Sequence, residues 1–181
     1  TLRLAISGQL GPNAFTSDDM AETLKLCVSC KGCRRECPTG VDMAKMKIEV
    51  LAARARKNGV RLREKLVAYL PRYAPIASRM PWLMNLRDRI PGLSLASEKM
   101  LGLAASRRLP RWRGDWIRQL KPSEETPDVL LFVDTFSRYF EPENIRAAET
   151  VLQRAGFKVG QAIAENDERP LCCGRTFLSA G

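Results

Sequence analysis

Histidine is absent from all 181 residues. That excludes histidine acid–base catalysis, Ser-His triads, histidine zinc ligands and haem ligation by histidine within this segment. No run of about 18 uninterrupted apolar residues occurs, so no membrane-spanning helix is expected. The start, Thr1-Leu-Arg-Leu-Ala-Ile-Ser7, has no initiator Met and none of the basic, apolar and small-residue regions of a signal peptide. The chain is therefore expected to be a piece of something longer, cut at both ends. Internal repeats and low-complexity tracts are also missing. Hydrophobic residues make up 45% and charged residues 28%, ordinary soluble usage that argues against wholesale disorder.

Charge is unevenly spread along the chain. Residues 1–121 hold 24 Lys/Arg and 10 Asp/Glu, a net +14, whereas residues 122–181 carry −4 of the total +10. A basic segment suits nucleic acid, an anionic membrane surface or an acidic partner. A solvated helical face is the simpler reading and the one favoured. No helix-turn-helix or zinc-finger spacing accompanies the charge, so no nucleic-acid partner is expected.

Four regions follow from the local patterns. Residues 1–16 read as a lead-in loop broken by Gly8, Gly11 and Pro12. Residues 17–105 read as an α-helical region. Ser17 is placed to cap a helix whose first turn holds Asp18 and Asp19. A Cys-rich loop is expected at 27–40, then a helix from Asp42 to Asn58 with Met43, Met46, Val50 and Leu51 on one face and Gly59 as its stop. Shorter helices are expected between Pro71, Pro75, Pro81 and Pro91. Residues 106–127, rich in Arg and Pro, read as a basic linker or a strap laid across the surface. Residues 128–181 read as a truncated α/β domain. Asp128-Val-Leu-Leu-Phe-Val-Asp134 suits a strand buried on both faces of a parallel sheet. Pro142 suits a helix start, with Ile145, Ala148, Val151 and Leu152 as its buried stripe and Gly156 as its end. Residues 157–163 suit a second strand, completing a βαβ unit.

The cysteines carry the chemistry. Cys27-x-x-Cys30-x-x-Cys33-x-x-x-Cys37-Pro38 has the spacing of bacterial ferredoxin-type [4Fe–4S] ligands. Thiolates two residues apart let a tight loop wrap the corners of one cube. Gly32 permits close backbone approach, and Lys31, Arg34 and Arg35 supply positive charge that favours a reduced cluster. Zinc knuckles usually separate their Cys pairs by a dozen or more residues, which four cysteines within eleven do not allow. Disulfides suit small secreted domains better than this chain. In two-cluster ferredoxins the fourth cysteine of such a run serves the other cluster. With one run present, Cys37 is favoured as the fourth ligand, and a distant residue is the alternative. Cys172-Cys173-Gly174 is a weaker signal. A helix starting near Gly174 would place both thiols at its N-terminus, where thiolates are favoured. A buried, inert pair is the bland alternative.

The cluster run followed by Cys172-Cys173-Gly174 resembles the cysteine-rich iron–sulfur domain family. That family includes the iron–sulfur subunits of glycolate oxidase, the iron–sulfur component of anaerobic glycerol-3-phosphate dehydrogenase, and heterodisulfide reductases. Asp134-Thr-Phe-Ser-Arg-Tyr-Phe-Glu-Pro-Glu-Asn144, taken with Arg169-Pro-Leu-Cys-Cys-Gly-Arg-Thr-Phe-Leu178, resembles more closely the C-terminal region of large bacterial FAD-linked oxidases of the D-lactate or D-2-hydroxyglutarate dehydrogenase type. The resemblance implies a ferredoxin-like helical cluster-binding region followed by the start of a cysteine-rich α/β domain. It implies an oxidoreductase parent in which FAD, held in a missing N-terminal part, passes electrons to a [4Fe–4S] cluster on Cys27, Cys30, Cys33 and Cys37. The partners implied are that flavin domain and an acceptor, a quinone or a redox protein. Cys172 and Cys173, with Asp134 opening onto the same crevice, form a second candidate site. No flavin fingerprint is present, so the fragment alone is not expected to turn over substrate. A cytoplasmic location follows, with surface contact to the inner membrane face left open. The alternative function is a nucleic-acid-associated or regulatory iron–sulfur protein using the basic helical segment.

Overall fold

The computed structural model describes residues 1–118, 126–164 and 169–180. In chain order, helices α1 (Leu2–Ile6), α2 (Asp18–Lys25), α3 (Gly32–Glu36), α4 (Met43–Asn58) and α5 (Leu62–Ala68) come first. Four short helices follow: α6 (Leu70–Ala77), α7 (Pro81–Met84), α8 (Leu86–Arg89) and α9 (Leu93–Leu101). The remainder is β1 (Val129–Leu131), α10 (Thr135–Tyr139), α11 (Pro142–Arg154), β2 (Val159–Gln161) and α12 (Arg175–Leu178). The chain divides into two compact units, one of Thr1–Ala68 with the residues from Thr176 onward, the other of Tyr69–Arg175.

In the first unit the caps act locally. The Ser17 hydroxyl accepts the Met20 N–H at 3.1 Å and starts α2, with Asp18 and Asp19 in its first turn. The Asp42 carboxylate accepts the Lys45 N–H at 2.9 Å and starts α4, which ends at Gly59 with φ +74°. Leu2, Ala5, Met20, Leu24 and Val50 form the core, lined by Phe15, Met43 and Met46. Residues 1–16 are therefore not the lead-in loop expected. They form α1 and a 3-10 turn at Ala14–Thr16, because Leu2 and Ala5 supply the apolar surface that α2 and α4 need to bury. The Arg54 guanidinium fastens this turn to α4. It donates to the Thr16 carbonyl at 2.7 Å, to the Ser17 carbonyl and to the Asp18 carboxylate at 2.6 Å. Beside Arg54, the Asp18 carboxyl titrates below its ordinary value.

The second unit starts at Tyr69, well before the 106–127 boundary expected from composition. Its aromatic core explains why. Ala74 on α6, Trp112, and Tyr139 and Phe140 at the end of α10 are buried together. Trp112 meets the edge of Phe140 with ring centroids 4.7 Å apart. Residues 106–118 behave as a strap rather than a free linker. The Arg113 N–H donates to the Tyr139 carbonyl at 3.1 Å and the Ile117 N–H to the Arg138 carbonyl at 3.1 Å. The Asn85 side chain pairs with both the N–H and the carbonyl of Trp112, each at 2.9 Å. Residues 119–125, the part of the expected linker that includes Pro122, lie outside the described residues. Pro71 sits in the first turn of α6 and Pro81 in the first turn of α7, but Pro75 lies inside α6 instead of cutting it.

Strands β1 and β2 pair in parallel, Val129 with Val159, Leu130 with Gly160 and Leu131 with Gln161. Between them α11 opens on Pro142 and closes on a Schellman turn. The Phe157 N–H donates to the Leu152 carbonyl at 3.1 Å and the Gly156 N–H to the Gln153 carbonyl at 3.0 Å, with Gly156 at φ +90°. Two expectations fail here. β1 is not buried on both faces: Leu131 and Val133 turn to a core with Ile117 and Ile145, while Leu130 is 62% exposed and Phe132 is exposed. A helix covers one face of a two-stranded pair, so the unbroken apolar run is read with period two. On α11, Ile145 is buried but Val151 is exposed, which narrows the stripe. Gly160 is required by packing: a Cβ there would sit 2.9 Å from Pro127 Cγ and 3.3 Å from Leu130 Cδ2. Gly160→Ala should therefore destabilise the fold by about 1–3 kcal/mol, as overpacking against a rigid ring usually does, and so lower the urea midpoint of unfolding. An unchanged midpoint would show that the strand pair shifts freely.

Candidate functional site

The four clustered cysteines all lie in the first unit, on one continuous turn of chain. Cys27 follows the end of α2 and is half-buried. Cys30 is exposed between Ser29 and Lys31, whose φ values are +58° and +61°. Two non-glycine residues in the left-handed region cost about 1–2 kcal/mol each, so the backbone here is bent against its preference. The expected loop at 27–40 is broken by α3, which carries Cys33, and Cys37 forms its C-terminal boundary. Gly32 lies so close that a Cβ would meet the Cys30 sulfur at 3.6 Å. All six cysteines are free thiols.

Two of these sulfurs, those of Cys33 and Cys37, have hydrogen-bonding partners. The Met43 N–H, in the first turn of α4, donates to Cys33 Sγ at 3.3 Å. Cys37 Sγ and Thr39 Oγ1 lie 3.1 Å apart. The Thr39 hydroxyl and the N–H groups of Val41, Thr39 and Gly40 favour the thiolate and hold the Cys37 thiol below its ordinary pKa. Lys47 on α4 donates its ammonium to the Cys27 carbonyl at 2.6 Å, tying the start of the turn to the helix that follows it. Spacing alone did not reveal Thr39, the Met43 N–H or Lys47. The only signal was the Pro-Thr-Gly that follows Cys37 and the cap at Asp42.

The donor set fits an iron–sulfur cluster in its chemistry: soft thiols, solvent access, and N–H and O–H groups aimed at sulfur. Among the described residues, no group of three or more His, Cys, Asp or Glu converges on a point as an assembled metal site would. Cys172 and Cys173 belong to the second unit and precede α12, Cys172 half-buried and Cys173 exposed. Gly174, with φ +74°, makes the turn into that helix. Asp134 is engaged elsewhere, its carboxylate accepting the Ser137 N–H at 2.8 Å as the cap of α10. One of its oxygens thus caps the backbone turn that begins where β1 leads out.

No family model and no solved structure matches the chain. Three curated relatives do, each bearing the name D-2-hydroxyglutarate dehydrogenase. That of Escherichia coli K12 is 22% identical over 156 residues, 78% of this chain. That of Pseudomonas putida KT2440 is 22% identical over 169 residues, 86% of this chain. That of Pantoea ananatis AJ13355 is 20% identical over 159 residues, 78% of this chain. The matched regions make up 15%, 17% and 15% of those proteins, so this chain spans about a sixth of their length.

The Cys37 environment gives a direct test in metal-free protein. Alkylation of Cys37 by iodoacetamide, followed by peptide mass spectrometry, should reach half its limiting rate at lower pH than in Thr39→Val. Removing the hydroxyl donor raises the thiol pKa, so the variant's profile moves to higher pH. Superimposable profiles would remove Thr39 from the account.

Proposed function

We propose that the chain is the electron-relay segment of an FAD-linked D-2-hydroxy acid dehydrogenase, with Cys27, Cys30, Cys33 and Cys37 holding one [4Fe–4S] cluster. The observation that carries this reading is the Cys-x-x-Cys-x-x-Cys-x-x-x-Cys-Pro run, with Cys33 Sγ accepting the Met43 N–H and Cys37 Sγ within hydrogen-bond distance of the Thr39 hydroxyl. The three relatives, distant and about six times longer, support the dehydrogenase half of it. A bound cluster supplies one-electron storage and transfer.

The protein's own residues supply the rest. The left-handed backbone at Ser29 and Lys31 turns the chain around Cys30. The Met43 N–H and the Thr39 hydroxyl stabilise sulfur-centred negative charge, which grows on reduction. Lys47 holds the Cys27 backbone against α4. In this reading the first unit, which carries the cysteine run, is a ferredoxin-like cluster-binding module, and the βαβ part of the second unit begins a cysteine-rich α/β domain. Oxidation of the hydroxy acid takes place elsewhere in the longer protein, at a flavin. Cys172 and Cys173 form a second thiol site on the electron path toward a quinone or a protein acceptor.

Anaerobic reconstitution with ferrous iron and sulfide should yield about four irons per chain, as the cluster formula requires. Cys→Ala at 27, 30, 33 or 37 should each lower that content. Full iron in Cys37→Ala together with loss in Cys172→Ala would move the fourth ligand to the second unit. Background iron with stoichiometric zinc would overturn the cluster altogether.

A further inference from the structure

The second unit carries exposed surface that the electron-relay reading does not use. Between residues 70 and 111 there are eight Lys/Arg and two Asp/Glu. Arg79, Arg89, Arg107, Arg108 and Arg111 are exposed, and none has an ion pair among the described residues. The same segment displays large apolar side chains: Trp82 is 58% exposed, Leu95 64%, Ile76 65% and Met100 80%. Isolated surface hydrophobics are ordinary, but this density in a segment whose exposed arginines have no ion pair among the described residues is not.

These residues come from one knot of short elements. The buried Arg87 guanidinium donates to Ser97 Oγ on α9 at 2.7 Å and to the carbonyls of Ala104 and Arg107 at 2.8 and 3.2 Å. The Asp88 carboxylate accepts the Leu109 N–H at 3.0 Å. Helices α8 and α9 and the strap at 103–109 are thus fastened together, so the strap's arginines and the exposed Leu95 and Met100 of α9 belong to one fixed substructure.

We infer that this face of the second unit docks on an anionic lipid bilayer. Trp and aliphatic side chains inserted at headgroup depth, with arginines reaching lipid phosphates, match the composition on both counts. Nucleic acid matches the cations but offers nothing to Leu95 and Met100. Stable docking needs two signals, burial and charge, and this face has both. The docking stands independently of the cysteines, because it is read in the presence or absence of iron.

The test uses the 181-residue chain and vesicles of phosphatidylcholine, with or without about one quarter phosphatidylglycerol. The chain should sediment with the anionic vesicles at low salt, be released at high salt, and leave neutral vesicles in solution. Changing Arg107, Arg108 and Arg111 to Gln together should weaken binding on the order of 100-fold. Arg154→Gln, which removes a charge from α11, should bind as the parent does. Bromine-labelled acyl chains should quench Trp fluorescence, and Trp82→Ser should abolish that quenching, since Trp112 is buried and Trp116 half-buried. No sedimentation with anionic vesicles, equal binding to neutral ones, or quenching that survives Trp82→Ser would each overturn the proposal. So would binding to heparin without binding to vesicles, which would assign the arginines to a soluble polyanion.

Discussion

Arginine forks clasping loop carbonyls hold each unit together from within. Arg54 grips the carbonyls of Thr16 and Ser17, Arg87 those of Leu103, Ala104 and Arg107, and Arg138 those of Ile117 and Val133. The helices are short and the connections long, so many backbone carbonyls fall outside regular ladders and need donors. A guanidinium offers five N–H groups in a fixed plane, enough to satisfy two or three carbonyls from different turns. Lys has the charge but not the fork. Arg138 shows the cost: it is 1% exposed, among the described residues it has no ion pair and its Nε has no partner, and burial lowers its pKa against the opposing pull of Asp134. Its two carbonyl bonds join the strap to the end of β1, which is why residues 106–118 pack as part of a unit.

Local chemistry was legible in the sequence. Ser17, Asp42, Gly59, Pro142 and Gly156 each act on the chain within four residues of themselves, and each stands where its cap or turn requires. The misreadings are tertiary. Nothing in residues 1–16 announces that Leu2 and Ala5 complete the core of α2 and α4. Nothing in an Arg-Pro-rich stretch announces that Trp112 packs on Phe140. The apolar run at 129–133 has no alternation of its own, so which side chains face inward depended on how many layers cover the strand.

For the candidate site, the ligand types and their spacing were legible, and their environment was not. Thr39 was visible only as part of a turn, and the Met43 N–H has no side-chain identity to read. Asp134 carries two readings at once: a carboxylate at the end of a strand invites a functional one, and one of its oxygens accepts the Ser137 N–H as the cap of α10. Asp, Asn and Ser at such junctions are more often caps than ligands.

The donors around the cysteines also bear on how the turn keeps its shape. Ser29 and Lys31 occupy a backbone region that other residues avoid, and such strain persists only when the surroundings fix it. Here those surroundings are α3 on one side and α4 on the other, with the Lys47 ammonium on the Cys27 carbonyl and the Met43 N–H on the Cys33 sulfur. α4 is in turn fastened by Arg54 to the turn before α2 and by Val50 to the core. The cysteine turn is therefore bent by contacts with a helix that the rest of the unit already holds. Neither α4 contact requires that anything be bound to the sulfurs.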